Sequence, residues 1–340
     1  LRTAIQQVVD ASDHPYTLSD LPKAFVTYWR DKLKSVEEFA AQFIAPDMQW
    51  HEEYGHLEEQ GTLDPDGELF DLIQKRIRWD ILYEYGHGAR IGRTLEKTSC
   101  SIARLKEDVL EDWSAAVHLR LREEVGGLRD AGHLDVKQFL TGMVKLCRTR
   151  GGIYADFLES YMEGSGNSYV LNRIPFMPKS KRTPAFIYDG SGSVSRLDPL
   201  IGSGTSLTTY QKWLARCFGD VVAFGRDVYN VVLETGVARS VFIKVQARSG
   251  QVYGLNSNLL VVEKAVDQYV CSITRYGTSA AQSERDVYAN MPSERFDAAG
   301  VLCRKVDQHD YYGALYRSGR VERAVSKEHT GLLERKDRED

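Results

Sequence analysis

The sequence predicts a mainly helical α+β fold containing winged-helix-like units. Three observations carry that prediction. Apolar residues recur at helical spacing in the first half, a β-hairpin pattern follows two helices near 241–255, and Gly/Ser clusters separate the periodic stretches. With 42% hydrophobic and 27% charged residues, the 340-residue chain has enough apolar surface for a packed core, not for a membrane span. That length suits two or three domains of roughly 100–200 residues each.

The elements follow in order. Leu69, Ile73, Ile77 and Ile81 recur every four residues, so a helix is predicted over 69–81, capped by Asp66 and ended by Gly86. A second helix follows Asp135, with Val136, Phe139, Leu140, Met143, Val144 and Cys147 on one face and Gly151-Gly152 as its stop. A short helix over 155–162, a turn at 164–166 and a strand over 168–174 complete the order of a winged-helix-like unit. Residues 189–206, rich in Gly and Ser, read as a linker. Beyond it, Tyr210, Trp213, Leu214 and Cys217 line one helix, and Val221, Val228, Val231 and Val232 line another that closes at Gly236. Val241, Ile243 and Val245 then alternate, 248–250 turns, and 252–255 returns, which is again helices followed by a wing-like hairpin. A strand at 259–262, a helical stretch from 306 to 319 and a short strand at 321–327 finish the pattern.

The net charge of −4 is unevenly spread. Residues 1–170 hold 20 Lys+Arg against 29 Asp+Glu, whereas 171–340 hold 24 against 19 and 171–250 alone hold 11 against 5. Overall acidity excludes indiscriminate coating of nucleic acid, so any phosphate contact has to be local. Three basic clusters could make it. Arg90, Arg93 and Lys97 surround a turn, Arg148 and Arg150 end a helix, and Lys179, Lys181 and Arg182 lie in an extended segment between Pro178 and Pro184. Such residues suit backbone contact without base reading.

Motifs for catalysis are incomplete. His51 and His56 are five apart, whereas two helical metal ligands need a spacing of four. The glycine-rich stretch 86–94 has Arg where a nucleotide-binding loop needs Lys, and 202–206 lacks that lysine too. No Gly-x-Ser-x-Gly elbow is present. The five cysteines, Cys100, Cys147, Cys217, Cys271 and Cys303, are odd in number and widely spaced, which suits free thiols and a cytoplasmic location. A start on Leu1 and a charged end over 336–340 read as an excerpt of a longer chain.

Several stretches resemble large bacterial DEAD/DEAH-box ATP-dependent helicases of superfamily 2, the Lhr-like kind. They are LYEYGHGARIGRTLEKT at 82–98, FLTGM at 139–143 with RGG at 150–152, YYGALYRSG at 311–319 and EHTGLLERKDRE at 328–339. The last is similar to a segment near the start of the second ATPase lobe, with His329, Gly331 and Arg338 at the motif positions. The resemblance implies a division into a helical accessory region (1–110), a winged-helix-like module (111–188), the linker (189–206) and a second such module (207–265). A degenerate zinc-ribbon-like segment (266–306) and the start of a RecA-like lobe (307–340) follow. It implies a four-cysteine ribbon as well, but with Cys271 as first ligand the partners fall on Thr274, Ser293 and Ala298 while Cys303 stands alone, so no zinc is expected.

The expected function is therefore that of an internal accessory region which grips DNA, or RNA, while the parent's ATPase lobes bind ATP and Mg2+ and drive movement. This segment contributes no catalytic residue of its own and needs no membrane. The rival expectation is a non-catalytic winged-helix DNA-binding regulator or an interaction scaffold. A regulator needs a polar base-reading helix, and the residues around Tyr229 are mostly apolar.

Overall fold

The computed structural model describes residues 1–318 apart from 34–38, 41–42, 44–50, 61, 91, 175, 178–182, 190–195, 203–205, 220–221, 249 and 306–310. The architecture is α+β, with helices packed around three small sheets among the described residues. One contiguous hydrophobic core takes residues from Ala4 to Leu302.

Among the described residues the first long helices are α1 (Arg2–Asp10), α2 (Leu21–Leu33), α3 (Glu52–Gln60) and α4 (Glu68–Tyr85). The four-residue repeat of α4 buries Leu69, Ile73, Ile77 and Ile81, and its N-cap is Gly67, one residue beyond the expected Asp66. Next come β2 (Ile102–Leu105), α5 (Glu107–Glu124) and α6 (His133–Thr149). The last of these starts half a turn before the expected Asp135, because the Asp135 carboxylate accepts the Gly132 N–H at 3.1 Å. Gly151, at φ +87°, ends α6 as a left-handed residue that only glycine adopts without strain.

After β3 (Ile153–Tyr154), the short helix α7 (Glu159–Glu163) lies in the stretch expected to be helical over 155–162, and α8 (Ser168–Leu171) occupies the region where a strand over 168–174 was expected. That expectation is corrected: the Asn167 side chain accepts the Tyr169 N–H at 3.0 Å and caps a helical turn in place of an extended segment. Strand β4 (Ile187–Tyr188) precedes the stretch 189–206 expected as a linker, and β5 (Asp198–Pro199), inside that stretch, pairs with β4 while Leu197 and Leu200 are buried. Helices α9 (Thr209–Phe218) and α10 (Gly225–Ala238) then lead into the hairpin of β6 (Phe242–Ala247) and β7 (Gly250–Asn256).

The sheets join distant parts of the chain. β8 (Leu260–Glu263) lies between β1 (Tyr16–Thr17) and β2, with Leu105 opposite Leu260. β7 carries β6 along one edge, so β3 and β4 share its other edge at Leu255 and Tyr253. β9 (Val266–Cys271) is the centre of an antiparallel sheet with β10 (Gly277–Ala281) and β11 (Leu302–Lys305). The described remainder is α11 (Arg285–Tyr288) and α12 (Tyr311–Arg317). The expected strand at 321–327 lies outside the described residues.

Helix α6 is central. Its apolar face buries Val136, Phe139, Leu140, Met143 and Cys147, and Trp213 of α9 donates its indole N–H to the Phe139 carbonyl at 2.9 Å. The indole lies where Gly142 has no side chain, and a Cβ there would stand 2.1 Å from the ring. Gly142→Ala is therefore expected to cost about 1–3 kcal/mol through overpacking, read as a lower urea midpoint with α-helical content retained by circular dichroism.

Candidate nucleic-acid interface

The polar edge of α6 faces packed structure instead of water. Arg148 is 1% exposed. Its Nη2 lies 2.8 Å from Glu96 Oε2, and its Nη1 donates to the Tyr85 carbonyl at the end of α4. One turn earlier, Lys145 Nζ lies 3.1 Å from Glu294 Oε1 and donates to Thr278 of β10. Burial alone would lower the Lys145 pKa, but the neighbouring Glu294, Tyr288 and Glu96 outweigh it and hold the ammonium charged. Behind these two cations lies a cavity of about 20 Å³ lined by Arg104, Thr141, Lys145, Arg148, Glu284 and Tyr288. That is room for one water.

In front of them is a groove of about 650 Å³. One wall is Lys97 of the turn after α4 together with Lys145, Thr149 and Arg150 at the end of α6. The opposite wall is the β9–β10 loop with Arg275 and Tyr276, the 294–296 segment, and Lys305 at the end of β11. Six basic side chains thus line the groove against two carboxylates, Glu96 and Glu294. Both carboxylates are already ion-paired, with Arg148 and Lys145.

The cations divide by partner. Arg150, half-buried, holds Asp198 Oδ1 at 2.5 Å and Thr209 Oγ1 at 2.6 Å, which fixes it between β5 and the start of α9. Arg295 lies 2.7 Å from Asp297 Oδ2. Arg275 and Lys305 are exposed and have no carboxylate partner among the described residues. Arg275 stands at φ +58° in a loop closed by its N–H donating to the Cys271 carbonyl at 3.1 Å. The groove is therefore lined both by cations locked in place, Lys145, Arg150 and Arg295, and by cations open to an anion, Arg275 and Lys305.

Of the residues singled out in the sequence, Lys97 and Arg150 reach the groove. Arg148 does not: it is a buried structural ion-pair member, so the expectation of a phosphate contact there is corrected. Its place was hidden because α6 was read as having one buried face, whereas the turn carrying Glu96 covers the other. Arg93 is exposed, stacks its guanidinium 3.8 Å from the Tyr312 ring centroid and accepts Tyr316 O–H on its carbonyl at 2.9 Å, tying the turn to α12. Arg90 closes the short turn His87–Arg90 after α4. Lys179, Lys181, Arg182, His329, Gly331 and Arg338 lie outside the described residues. Lys145, Arg275, Arg295 and Lys305 were missed; the basic-aromatic pair Arg275-Tyr276 ahead of Gly277 was the signal available.

The segment expected as ribbon-like has its own geometry. The Cys271 sulfur accepts the Thr274 N–H at 3.4 Å. Burial pushes this thiol up, but hydrogen bonds from Thr274 and Ser293 outweigh it and bring the pKa down to about 7. Cys271, Thr274 and Ser293 thus converge. His51 lies 3.3 Å from Glu68 Oε2, while His56 is exposed on α3. No cluster of three or more metal-ligating side chains occurs among the described residues. Comparison with family models, with curated proteins and with solved structures finds no match to this chain.

Two predictions follow from the buried charges. Arg148→Met fills similar volume but leaves the Glu96 carboxylate buried alone, and is expected to cost about 3–5 kcal/mol in urea unfolding. Adding Glu96→Gln should recover much of that loss. Glu284 is the second case. Burial raises its pKa to about 7, against the pull of Arg104, the Ala281 backbone and Lys145 and with a small push from Glu263. The folded state then holds a proton that the unfolded state has released between the ordinary glutamate value of 4.5 and about 7. Stability contributed by this group is accordingly present at pH 4.5 and lost as pH rises to 7, by on the order of 3 kcal/mol. Glu284→Gln should flatten that part of the stability–pH curve.

Proposed function

We propose that this chain is a nucleic-acid-gripping accessory region and that the groove between α6 and the β9–β10–β11 sheet holds the phosphate backbone. The observation that carries this reading is the excess of cations lining the groove, with Arg275 and Lys305 lacking carboxylate partners among the described residues. A polyanion would exchange its counterions for these side chains, a gain that does not depend on base sequence. The locked cations, Lys145 and Arg150, keep the opposite wall in register at little further entropy cost.

The larger proposal is that the parent is an ATP-dependent DNA helicase or translocase. In it, ATP and Mg2+ would bind to ATPase lobes whose complete motifs this chain lacks, and residues 307–340 would be the start of the second lobe. Three features support the reading. Helices α9 and α10 followed by the β6–β7 hairpin have the order of a winged-helix module. Helices α5 and α6, followed by the short strand β3, supply the helical part of a second such unit. Cys271, Thr274 and Ser293 converge where the helicase resemblance puts ribbon ligands. The regulator reading is weaker, because the exposed face of α10 sets Asp227 and Glu234 beside Arg226 and Asn230, a poor surface for a DNA groove.

The test is fluorescence anisotropy with a labelled single strand at increasing salt. With about four phosphates engaged, a slope near −3 in log affinity against log salt is expected, so a fourfold rise in salt weakens binding roughly 50-fold. Arg275→Glu with Lys305→Glu should lower affinity and cut that slope by about half, with an unchanged melting temperature. Arg226→Glu on α10, away from the groove lining, should change neither. Absence of binding at low salt, or equal binding by the double variant, would sink the proposal.

A further inference from the structure

We propose that the groove takes a single strand in preference to a duplex, and that Tyr276 is the platform on which one unpaired base stacks. This inference rests on the phosphate-groove reading and deepens it by naming the substrate class.

Size comes first. A volume of about 650 Å³ is that of a small-ligand cleft. Such a cleft accommodates a nucleotide or two and not the whole cross-section of a duplex. The lining chemistry comes next. Three aromatic side chains border the groove, Tyr269, Tyr276 and Phe296. Tyr269 is 3% exposed and packs against Tyr288 at 5.4 Å, and Phe296 is packed against the core. Tyr276 is 41% exposed. Its ring is the one with surface to give.

That ring is also held in place. The Tyr276 carbonyl accepts the Cys271 N–H at 2.9 Å, and its own N–H donates to Thr274 Oγ1 at 3.4 Å. The Arg295 guanidinium lies 5.3 Å from the ring centroid and is itself fixed by Asp297 at 2.7 Å. A tyrosine has two side-chain torsions, so a ring backed by a fixed cation loses little entropy when a base arrives. Arg275 is its immediate neighbour in sequence, and Lys305 stands on the same wall. One loop therefore offers a stacking face and a phosphate partner side by side, the pairing by which single strands are held without sequence reading. Stacking on a tyrosine face needs no 2′-hydroxyl, so DNA and RNA strands share the chemistry.

The experiment uses the whole chain and five labelled probes of equal length: a DNA strand, an RNA strand, a DNA duplex, an abasic DNA strand and a DNA strand carrying 2-aminopurine. Expected are binding of a base-bearing strand about tenfold tighter than of the duplex or the abasic strand, and a change in 2-aminopurine emission on binding. Tyr276→Leu should lose about tenfold for base-bearing strands and nothing for the abasic strand, while Tyr276→Trp retains both affinity and the emission change. Whichever of DNA and RNA shows this pattern is the source of the ligand. Equal affinity for abasic and normal strands, lost in Arg275→Glu, would leave a phosphate groove and overturn the stacking site. Failure of every probe to bind would overturn both readings.

Discussion

The Arg148 guanidinium is buried at the junction of three pieces of chain that are distant in sequence. It belongs to α6, satisfies a terminal carbonyl of α4 at Tyr85, and faces Glu96 in the turn that follows α4. A charge in that position is tolerable only while both partners stay, since an uncompensated buried ion costs several kcal/mol. The position of the 92–99 turn, and with it Lys97 on the groove wall, therefore depends on this pair. Lys145 repeats the arrangement one turn earlier, binding α6 to the β9–β10–β11 sheet through Glu294 and Thr278. Two buried cations on one helix thereby set the separation of the two groove walls.

This explains why the groove has two kinds of positive charge. A cation with a carboxylate partner defines shape but adds little long-range field, because the pair is nearly neutral at a distance beyond about 8–10 Å in physiological salt. Arg150 with Asp198, Lys145 with Glu294 and Arg295 with Asp297 are of that sort. The attraction for an anion comes instead from side chains such as Arg275 and Lys305. Their loop and strand end are fixed by the sheet, and their charges are not neutralised by a neighbour among the described residues. Fixed and attractive cations line the same groove, and this combination lets a chain of net charge −4 offer a local site for a polyanion.

The sequence was most informative where one period decides the structure. The four-residue repeat of Leu69 to Ile81, the single apolar face after Asp135 and the 241–255 hairpin all form elements close to where they were expected. At 168–171 the side chain of Asn167 outweighs the β-forming character of Tyr169 and Val170, because a cap satisfies a backbone N–H that a strand would need a neighbour to satisfy. The site was harder to read. Lys97 and Arg150 were legible as exposed cations near glycines, but Arg148 has the same chemistry and lies buried. Nothing local distinguishes them; the difference is Glu96, fifty-two residues away in sequence and 2.8 Å away in space. Arg275 and Lys305 were overlooked because the cysteine spacing around them drew the reading toward a metal site.

The same long-range dependence governs the sheets. β8 completes a sheet with β1 and β2, so residues near 16 and 102 are ordered by residues near 261. β7 serves β3, β4 and β6 together. Two-residue strands such as β1, β3 and β4 have too few ladder bonds to persist alone, and they exist because β7 and β8 supply an edge, on which β4 in turn carries β5. The groove inherits this property. Its first wall is assembled from residues near 97 and 150, its second from residues near 275 and 305, and the β9 strand that carries the second wall follows directly from β8. Formation of the binding surface is thus coupled to closure of the longest-range sheet in the chain. The cations that meet an anion come together only when the core running from Ala4 to Leu302 is complete.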